Sequence, residues 1–227
     1  MGEGRDKKGR MRARPTGASD GVASVGLRML GLDGAREGYL YVPAGYRPGR
    51  PASLAVLLHG AGEDARDSLA LLRAQADEAG LILIAPNSRG PTWDFVRGGY
   101  GPDITAIDRA LEETFSSYAV DPAHVAVGGY SDGASYALSL GIMNGDLFTH
   151  IMAFSPGFMA PAMQVGSPQI FVSHGARDRW LPIERCSRRI VLQLKSAGYD
   201  VTYREFDGPH VVPLMIGHEA TDWFTSG

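Results

Sequence analysis

Residues 125–144 read VAVGGYSDGASYALSLGIMN. An apolar, valine-bearing run stops at Gly128 and Gly129, and Ser131 follows at once. Small and apolar residues then recur at the spacing of one helix face through residue 142. This order predicts a strand, a sharp turn and a helix.

The predicted turn, residues 129–133, reads GYSDG and fits the pattern G-x-S-x-G. In a nucleophile elbow of this type the serine takes a strained backbone conformation, and glycines flank it because a side chain would not fit. Residues 17–21, GASDG, also match, but no strand-like run precedes them. The context therefore favours Ser131 as a candidate nucleophile.

Composition indicates one globular domain. The chain has 227 residues, of which 44% are hydrophobic and 21% charged, and its net charge of −3 argues against a nucleic-acid partner. Cys186 is the only cysteine, which excludes an internal disulfide. Basic residues concentrate near the N-terminus, so we expect residues 1–20 to form a flexible basic arm and residues 21–227 a single domain.

The sequence carries no signal for export, membrane insertion or metal binding. The N-terminus lacks the apolar core of a signal peptide, and no run approaches transmembrane length. We therefore expect a cytoplasmic protein without membrane insertion, metal or cofactor. A homodimer stays open as a possibility.

Strand-like and helical patterns alternate along the chain. Runs at 25–30 and 38–42, joined by a turn at 31–34, predict an opening hairpin. Apolar runs at 54–58, 81–85, 125–127, 151–154, 169–173 and 201–206 alternate with helical patterns at 67–79, 103–118, 132–142 and 183–197 and after 213. This alternation predicts an α/β fold with a mostly parallel central sheet flanked by helices.

Reactive groups of such sheets gather where strands end, and two loops there carry suitable residues. Asp178 follows one late strand and His210 follows the last. A serine hydroxyl needs an imidazole to accept its proton, and the imidazole needs a carboxylate to hold its tautomer. We therefore predict that Ser131, Asp178 and His210 form a catalytic triad.

Other residues compete for these roles. His59 and His174 also follow strands, where we expect structural histidines, and Asp207 is the first alternative to Asp178. A tetrahedral oxyanion would need two backbone N–H donors. We expect these donors from Asp132, after the nucleophile, and from Ala61 in the His-Gly-Ala-Gly loop at 59–62.

Four motifs, LLHGAG, GYSDG, SHGARD and DGPH, resemble in order and spacing the phospholipase/carboxylesterase branch of the α/β-hydrolase superfamily. The resemblance extends from about residue 39 to the C-terminus. It implies the α/β-hydrolase fold, the same triad and the same oxyanion donors. Relatives of the thioesterase type carry glutamine after the nucleophile, whereas this chain has Asp132. That difference leaves the preference for thioesters open.

The segment 156–168 is short, so we expect no lid domain. Apolar residues predicted in loops near the serine could line a substrate pocket: Trp93, Phe158, Trp180, Leu181 and Val211. The sequence therefore predicts a serine carboxylesterase that hydrolyses short- to medium-chain esters through an acyl-enzyme. The alternatives are a feruloyl-type or polyester esterase, an acyl thioesterase, or, in another class, a non-catalytic binding protein.

Overall fold

A computed structural model describes residues 9–16, 24–31 and 37–226. The strands in chain order are β1 (Gly26–Leu30), β2 (Gly38–Val42), β3 (Ala52–Leu58), β4 (Ile82–Ala85), β5 (Val120–Tyr130), β6 (His150–Phe154), β7 (Gln169–Gly175) and β8 (Val201–Phe206). The helices are α1 (Ala65–Ala70), α2 (Arg73–Ala79), α3 (Pro102–Ser117), α4 (Asp132–Met143), α5 (Ser187–Ser196) and α6 (Leu214–Thr225). A short 3-10 helix covers Asp94–Arg97.

The eight strands form one sheet in the order β1-β2-β4-β3-β5-β6-β7-β8. β1 and β2 are antiparallel to their neighbours, and all pairs from β4 to β8 are parallel. The predicted α/β architecture is confirmed. The first two strands pair as a hairpin, although most of the turn predicted at 31–34 lies outside the described residues.

The central strands are apolar throughout because helices cover both faces of the sheet. Successive side chains of a strand point to opposite faces. In β3, Leu54, Val56 and Leu58 belong to the core on the side of α3, α4 and α5, whereas Ala55 and Leu57 pack on the side of α1, α2 and α6. β3 and β5 therefore lie in the middle of two apolar cores.

Two predicted helices have different bounds. The single helix expected at 67–79 is divided into α1 and α2, because Leu72 leaves the helical conformation, with φ −127° and ψ 4°, and its side chain is fully buried. The helix expected from residue 183 begins at Ser187. Among the described residues, no helix has both the length and the apolar character needed to span a bilayer.

Residues 9–16, part of the expected flexible arm, lie against the domain. Met11 is buried, and its backbone N–H donates to Asn144 Oδ1 at 2.8 Å. Asp108 accepts the N–H groups of positions 12 and 13 at 2.9 Å each, and Arg10 forms an ion pair with Asp146 at 2.7 Å. This part of the arm is therefore held on the surface rather than projecting from it, while residues 1–8 and 17–20 lie outside the described residues.

Candidate active site

Ser131 lies at the tip of the predicted turn, between the end of β5 and the start of α4. Its backbone has φ 56° and ψ −117°, a conformation rare for residues other than glycine. A Cβ atom at Gly129 would lie 2.6 Å from the carbonyl oxygen of Leu58, and one at Gly133 would lie 2.1 Å from it. The two glycines are therefore required because the turn packs directly on the backbone of β3.

The structure brings Ser131, His210 and Asp178 together at the carboxyl edge of the sheet. His210 Nε2 lies 3.0 Å from Ser131 Oγ, and His210 Nδ1 lies 2.5 Å from Asp178 Oδ2. The three side chains come from the turn after β5 and the loops after β7 and β8. Residues 79 positions apart thus share one hydrogen-bonded chain.

Asp178 is held by donors on both carboxylate oxygens. Its Oδ1 accepts the backbone N–H groups of Trp180 and Leu181, each at 2.9 Å. Burial favours the neutral acid, but the hydrogen bonds from Leu181 and His210 outweigh it and lower the pKa of Asp178 below its usual value. An ionised Asp178 accepts a hydrogen bond from the Nδ1–H group of His210, which leaves the Nε2 lone pair for the Ser131 hydroxyl.

A second histidine contacts the same carboxylate. His174 is fully buried, and its Nε2 lies 3.0 Å from Asp178 Oδ2 and 2.8 Å from the carbonyl oxygen of Leu181. Because both partners are acceptors, Nε2 carries the proton, and Nδ1 accepts the Ser187 hydroxyl. Burial lowers the pKa of His174. His174 is thus a satisfied buried histidine, as expected, but its donation to Asp178 was not predicted.

Two backbone N–H groups of the loop at 59–62 have acceptors within the described residues. The N–H of Gly60 donates to Glu63 Oε2 at 2.8 Å, and that of Gly62 donates to the carbonyl of Pro91 at 2.8 Å. Burial raises the pKa of the Glu63 carboxyl. Ala61 lines the cavity beside the serine, and its N–H has no acceptor within the described part of the chain. The Ala61 N–H is therefore available to an acceptor in the cavity, and its role as an oxyanion donor stays a prediction.

Asp132, the second expected donor, begins α4. Its backbone N–H lies in the first helical turn, where no preceding carbonyl of the helix can accept it. Its side-chain Oδ2 accepts the Thr92 hydroxyl at 2.7 Å. The hydrogen bond from Thr92 holds the Asp132 carboxylate, and this explains how an acidic residue can follow the nucleophile.

Tyr130 is a residue of the site that the sequence reasoning missed. Its hydroxyl donates to the carbonyl oxygen of His210 at 2.7 Å, and the two rings lie 4.8 Å apart. Burial raises the pKa of Tyr130, so the phenol stays protonated and can donate. Tyr130 therefore ties the loop that carries His210 to the turn that carries Ser131. The only signal in the sequence is an aromatic residue before the serine.

Known proteins are similar to part of this chain. No protein-family model matches the sequence. Poly(3-hydroxybutyrate) depolymerase of Ralstonia pickettii is 29% identical over 140 residues, which are 52% of this chain and 28% of that protein. Feruloyl esterase C of Emericella nidulans is 27% identical over 158 residues, which are 66% of this chain and 57% of that protein. The chain thus spans less than two thirds of the length of either relative.

A solved structure covers almost the whole fold. The crystal structure of esterase PE8 aligns with a TM-score of 0.69 at 23% identity, over 89% of this chain and 99% of that chain. The chain has the α/β-hydrolase fold. In this α/β-hydrolase fold the candidate residues follow the chain order serine, aspartate, histidine, as they do in other members of the fold.

The cavity of this α/β-hydrolase fold beside Ser131 has a volume of about 330 Å³. Besides Ser131 and His210, it is lined by Gly60, Ala61, Glu63, Tyr130, Trp180 and Leu181. Two of the residues predicted for a substrate pocket, Trp180 and Leu181, therefore line this cavity. The Trp180 side chain is 84% exposed, so a large apolar surface stands at the rim of the cavity.

The other three predicted pocket residues are not among those that line this cavity. Trp93 is fully buried because it packs in the apolar core, and its indole N–H donates to the carbonyl of His59 at 2.8 Å, at the start of the loop at 59–62. Phe158 stacks on Phe95 and lines a separate cavity. Val211 is 43% exposed on the loop after His210. Loop position alone therefore did not identify the pocket walls.

Proposed function

We propose that this chain is a serine carboxylesterase that hydrolyses short- to medium-chain carboxylic esters through an acyl-enzyme. The observation that carries the proposal is the position of His210, with Nε2 3.0 Å from Ser131 Oγ and Nδ1 2.5 Å from Asp178. In this proposal Ser131 is the nucleophile, His210 the general base and acid, and Asp178 the carboxylate that orients the imidazole.

Acylation begins when Ser131 Oγ attacks the ester carbonyl carbon and its proton passes to His210 Nε2. The carbonyl oxygen gains negative charge, which the N–H groups of Ala61 and Asp132 stabilise. The intermediate then collapses: the bond from carbon to the alcohol oxygen breaks, and His210 returns the proton to that oxygen. The free alcohol leaves, and the acyl group stays on Ser131.

Deacylation repeats these steps with water. A water molecule attacks the acyl carbon while His210 Nε2 takes one of its protons. When the bond between the acyl carbon and Ser131 Oγ breaks, His210 gives the proton to Oγ and the carboxylic acid leaves. Asp178 stays ionised throughout and offsets the charge of the imidazolium.

The walls of the cavity support an ester with an apolar part. Leu181 and the exposed ring of Trp180 offer apolar surface beside Ser131. The same aromatic surface favours a feruloyl-type or polyester substrate as the second candidate, and similarity to a feruloyl esterase and a polyester depolymerase supports it. Acyl thioesters remain the third.

A substrate panel with an active-site label tests the proposal. We expect p-nitrophenyl acetate, butyrate or octanoate to be hydrolysed and a fluorophosphonate probe to label Ser131, with both activities lost in Ser131→Ala. Methyl ferulate, poly(3-hydroxybutyrate) and an acyl-CoA in the same panel rank the alternatives. Absence of both turnover and labelling would refute catalysis and favour a non-catalytic binding protein.

A further inference from the structure

A second cavity, of about 150 Å³, lies on the α5 side of the carboxyl edge. Its walls include Gly157, Phe158, Met159, Arg185, Arg189 and Gln193. Phe158 and Met159 make one side apolar, and the two arginines make the other side cationic. We call this space the arginine cavity.

A residue of the arginine cavity contacts a residue of the cavity beside Ser131. A Cβ atom at Gly157 would lie 3.3 Å from Leu181 Cδ2, and Leu181 lines the cavity beside Ser131. The N–H of Gly157 donates to Ser135 Oγ at 3.0 Å, and Ser135 lies one helical turn beyond Ser131. The two cavities are therefore neighbours across the contact between Gly157 and the Leu181 side chain.

The two arginines of the cavity are exposed and differ in their ion pairs from Arg188, which lies between them in the sequence. Neighbouring Arg188 is neutralised by Glu184 at 3.2 Å and Glu205 at 2.7 Å. The guanidinium groups of Arg185 and Arg189, by contrast, make no ion pair within the residues that the structure describes, and no acidic side chain lines the cavity. Two guanidinium groups beside an apolar wall suit a carboxylate carried on an apolar chain, because guanidinium donors match carboxylate geometry.

We propose that the arginine cavity is a subsite for a carboxylate at the far end of the substrate, so that the preferred esters carry a free carboxylate beyond an apolar spacer. This inference rests on the proposed esterase function. If the acyl part reaches Arg185 and Arg189, the substrates are monoesters of dicarboxylic acids. If the alcohol part reaches them, the substrates are esters of hydroxy acids.

Matched esters that differ only in charge test the subsite. On the acyl side, mono-p-nitrophenyl adipate and suberate are each compared with the p-nitrophenyl ester whose far carboxylate is methylated. On the alcohol side, acetoxyhexanoate is compared with acetoxyhexanamide. At low salt we expect the charged member of at least one pair to have about tenfold higher kcat/KM, from two weak exposed ion pairs. The preference should shrink as salt is added.

Variants assign the preference to the two arginines. In Arg185→Gln/Arg189→Gln the ratio of charged to neutral kcat/KM should fall to about one. Lys195→Gln is the matched control, because Lys195 is an exposed cation on the helix that carries Arg189 and is not among the residues lining the cavity. Its ratio should equal that of the unaltered protein.

Two results would overturn the subsite: equal kcat/KM for both members of every pair, or a preference that survives in the double variant. Hydrolysis of the neutral esters, checked against Ser131→Ala, reports the esterase function separately. If neutral esters are hydrolysed without any charge preference, only the subsite fails. If no ester of either kind is hydrolysed, the esterase proposal fails and the subsite with it.

Discussion

Asp178→Asn tests the proposed triad through the tautomer of His210. In the present structure Asp178 Oδ1 accepts the N–H groups of Trp180 and Leu181, each at 2.9 Å. The oxygen of an asparagine amide must take that position, because an NH₂ group cannot accept these donors. The NH₂ group then faces His210 Nδ1, 2.5 Å from the present Oδ2. His210 would have to accept at Nδ1 and carry its proton on Nε2, where it can no longer take the proton of Ser131.

The expected loss of kcat follows from this wrong tautomer of His210. The same exchange in a serine protease triad costs about 10⁴-fold in kcat, or about 5.5 kcal/mol in activation free energy. We expect a loss of about 10³ to 10⁴-fold in kcat here, with little change in KM. The new NH₂ group would also face the Nε2 proton of His174, which lies 3.0 Å from Oδ2. That contact of two donors should lower the free energy of unfolding by about 1–3 kcal/mol.

Steady-state hydrolysis of p-nitrophenyl butyrate measures the first effect, and denaturant unfolding measures the second. The control is Asp207→Asn, because Asp207 is the alternative acid but its side chain is 79% exposed and paired with Arg177 at 3.1 Å. We expect the control to keep its activity. A folded Asp178→Asn protein within tenfold of the original kcat would refute the role of Asp178, and a large loss in the control would move that role to Asp207.

Three further predictions concern residues around the site and in the core. Gly133→Ala should lower the free energy of unfolding by about 2 kcal/mol or more in denaturant titration, since its Cβ would lie 2.1 Å from the Leu58 carbonyl oxygen. Glu63→Ala should lower kcat about tenfold by freeing the Gly60 N–H, and Glu63→Gln should restore most of it; equal losses would contradict this. Burial lowers the pKa of His150 from 6.5 to about 4, so the unfolded chain binds the proton first as pH falls through that window. The free energy of unfolding should drop by about 1–2 kcal/mol as pH falls from 6.5 to about 4. If His150→Gln shows the same dependence of this free energy on pH, His150 is not the group responsible.

The sequence by itself determined the architecture and the identity of the candidate triad. Uninterrupted apolar runs separated by helical patterns indicate a parallel sheet with two covered faces, because strands buried on both sides are apolar at every position. The glycines around Ser131 indicated a tight turn, and the ends of strands gave the positions of Asp178 and His210. These features are local, so they can be read from neighbouring residues along the chain.

Only the tertiary structure decided which side chains meet around that triad. Tyr130 reaches the carbonyl of His210 across 80 positions, and the indole of the buried Trp93 donates to a carbonyl 34 positions earlier. Residues 9–16 are basic and look solvated in the sequence, yet Met11 is buried against a helix 133 positions away. A loop residue faces solvent, a pocket or the core according to the acceptors and apolar surfaces that distant segments bring to it, and the packing of the whole domain sets these partners.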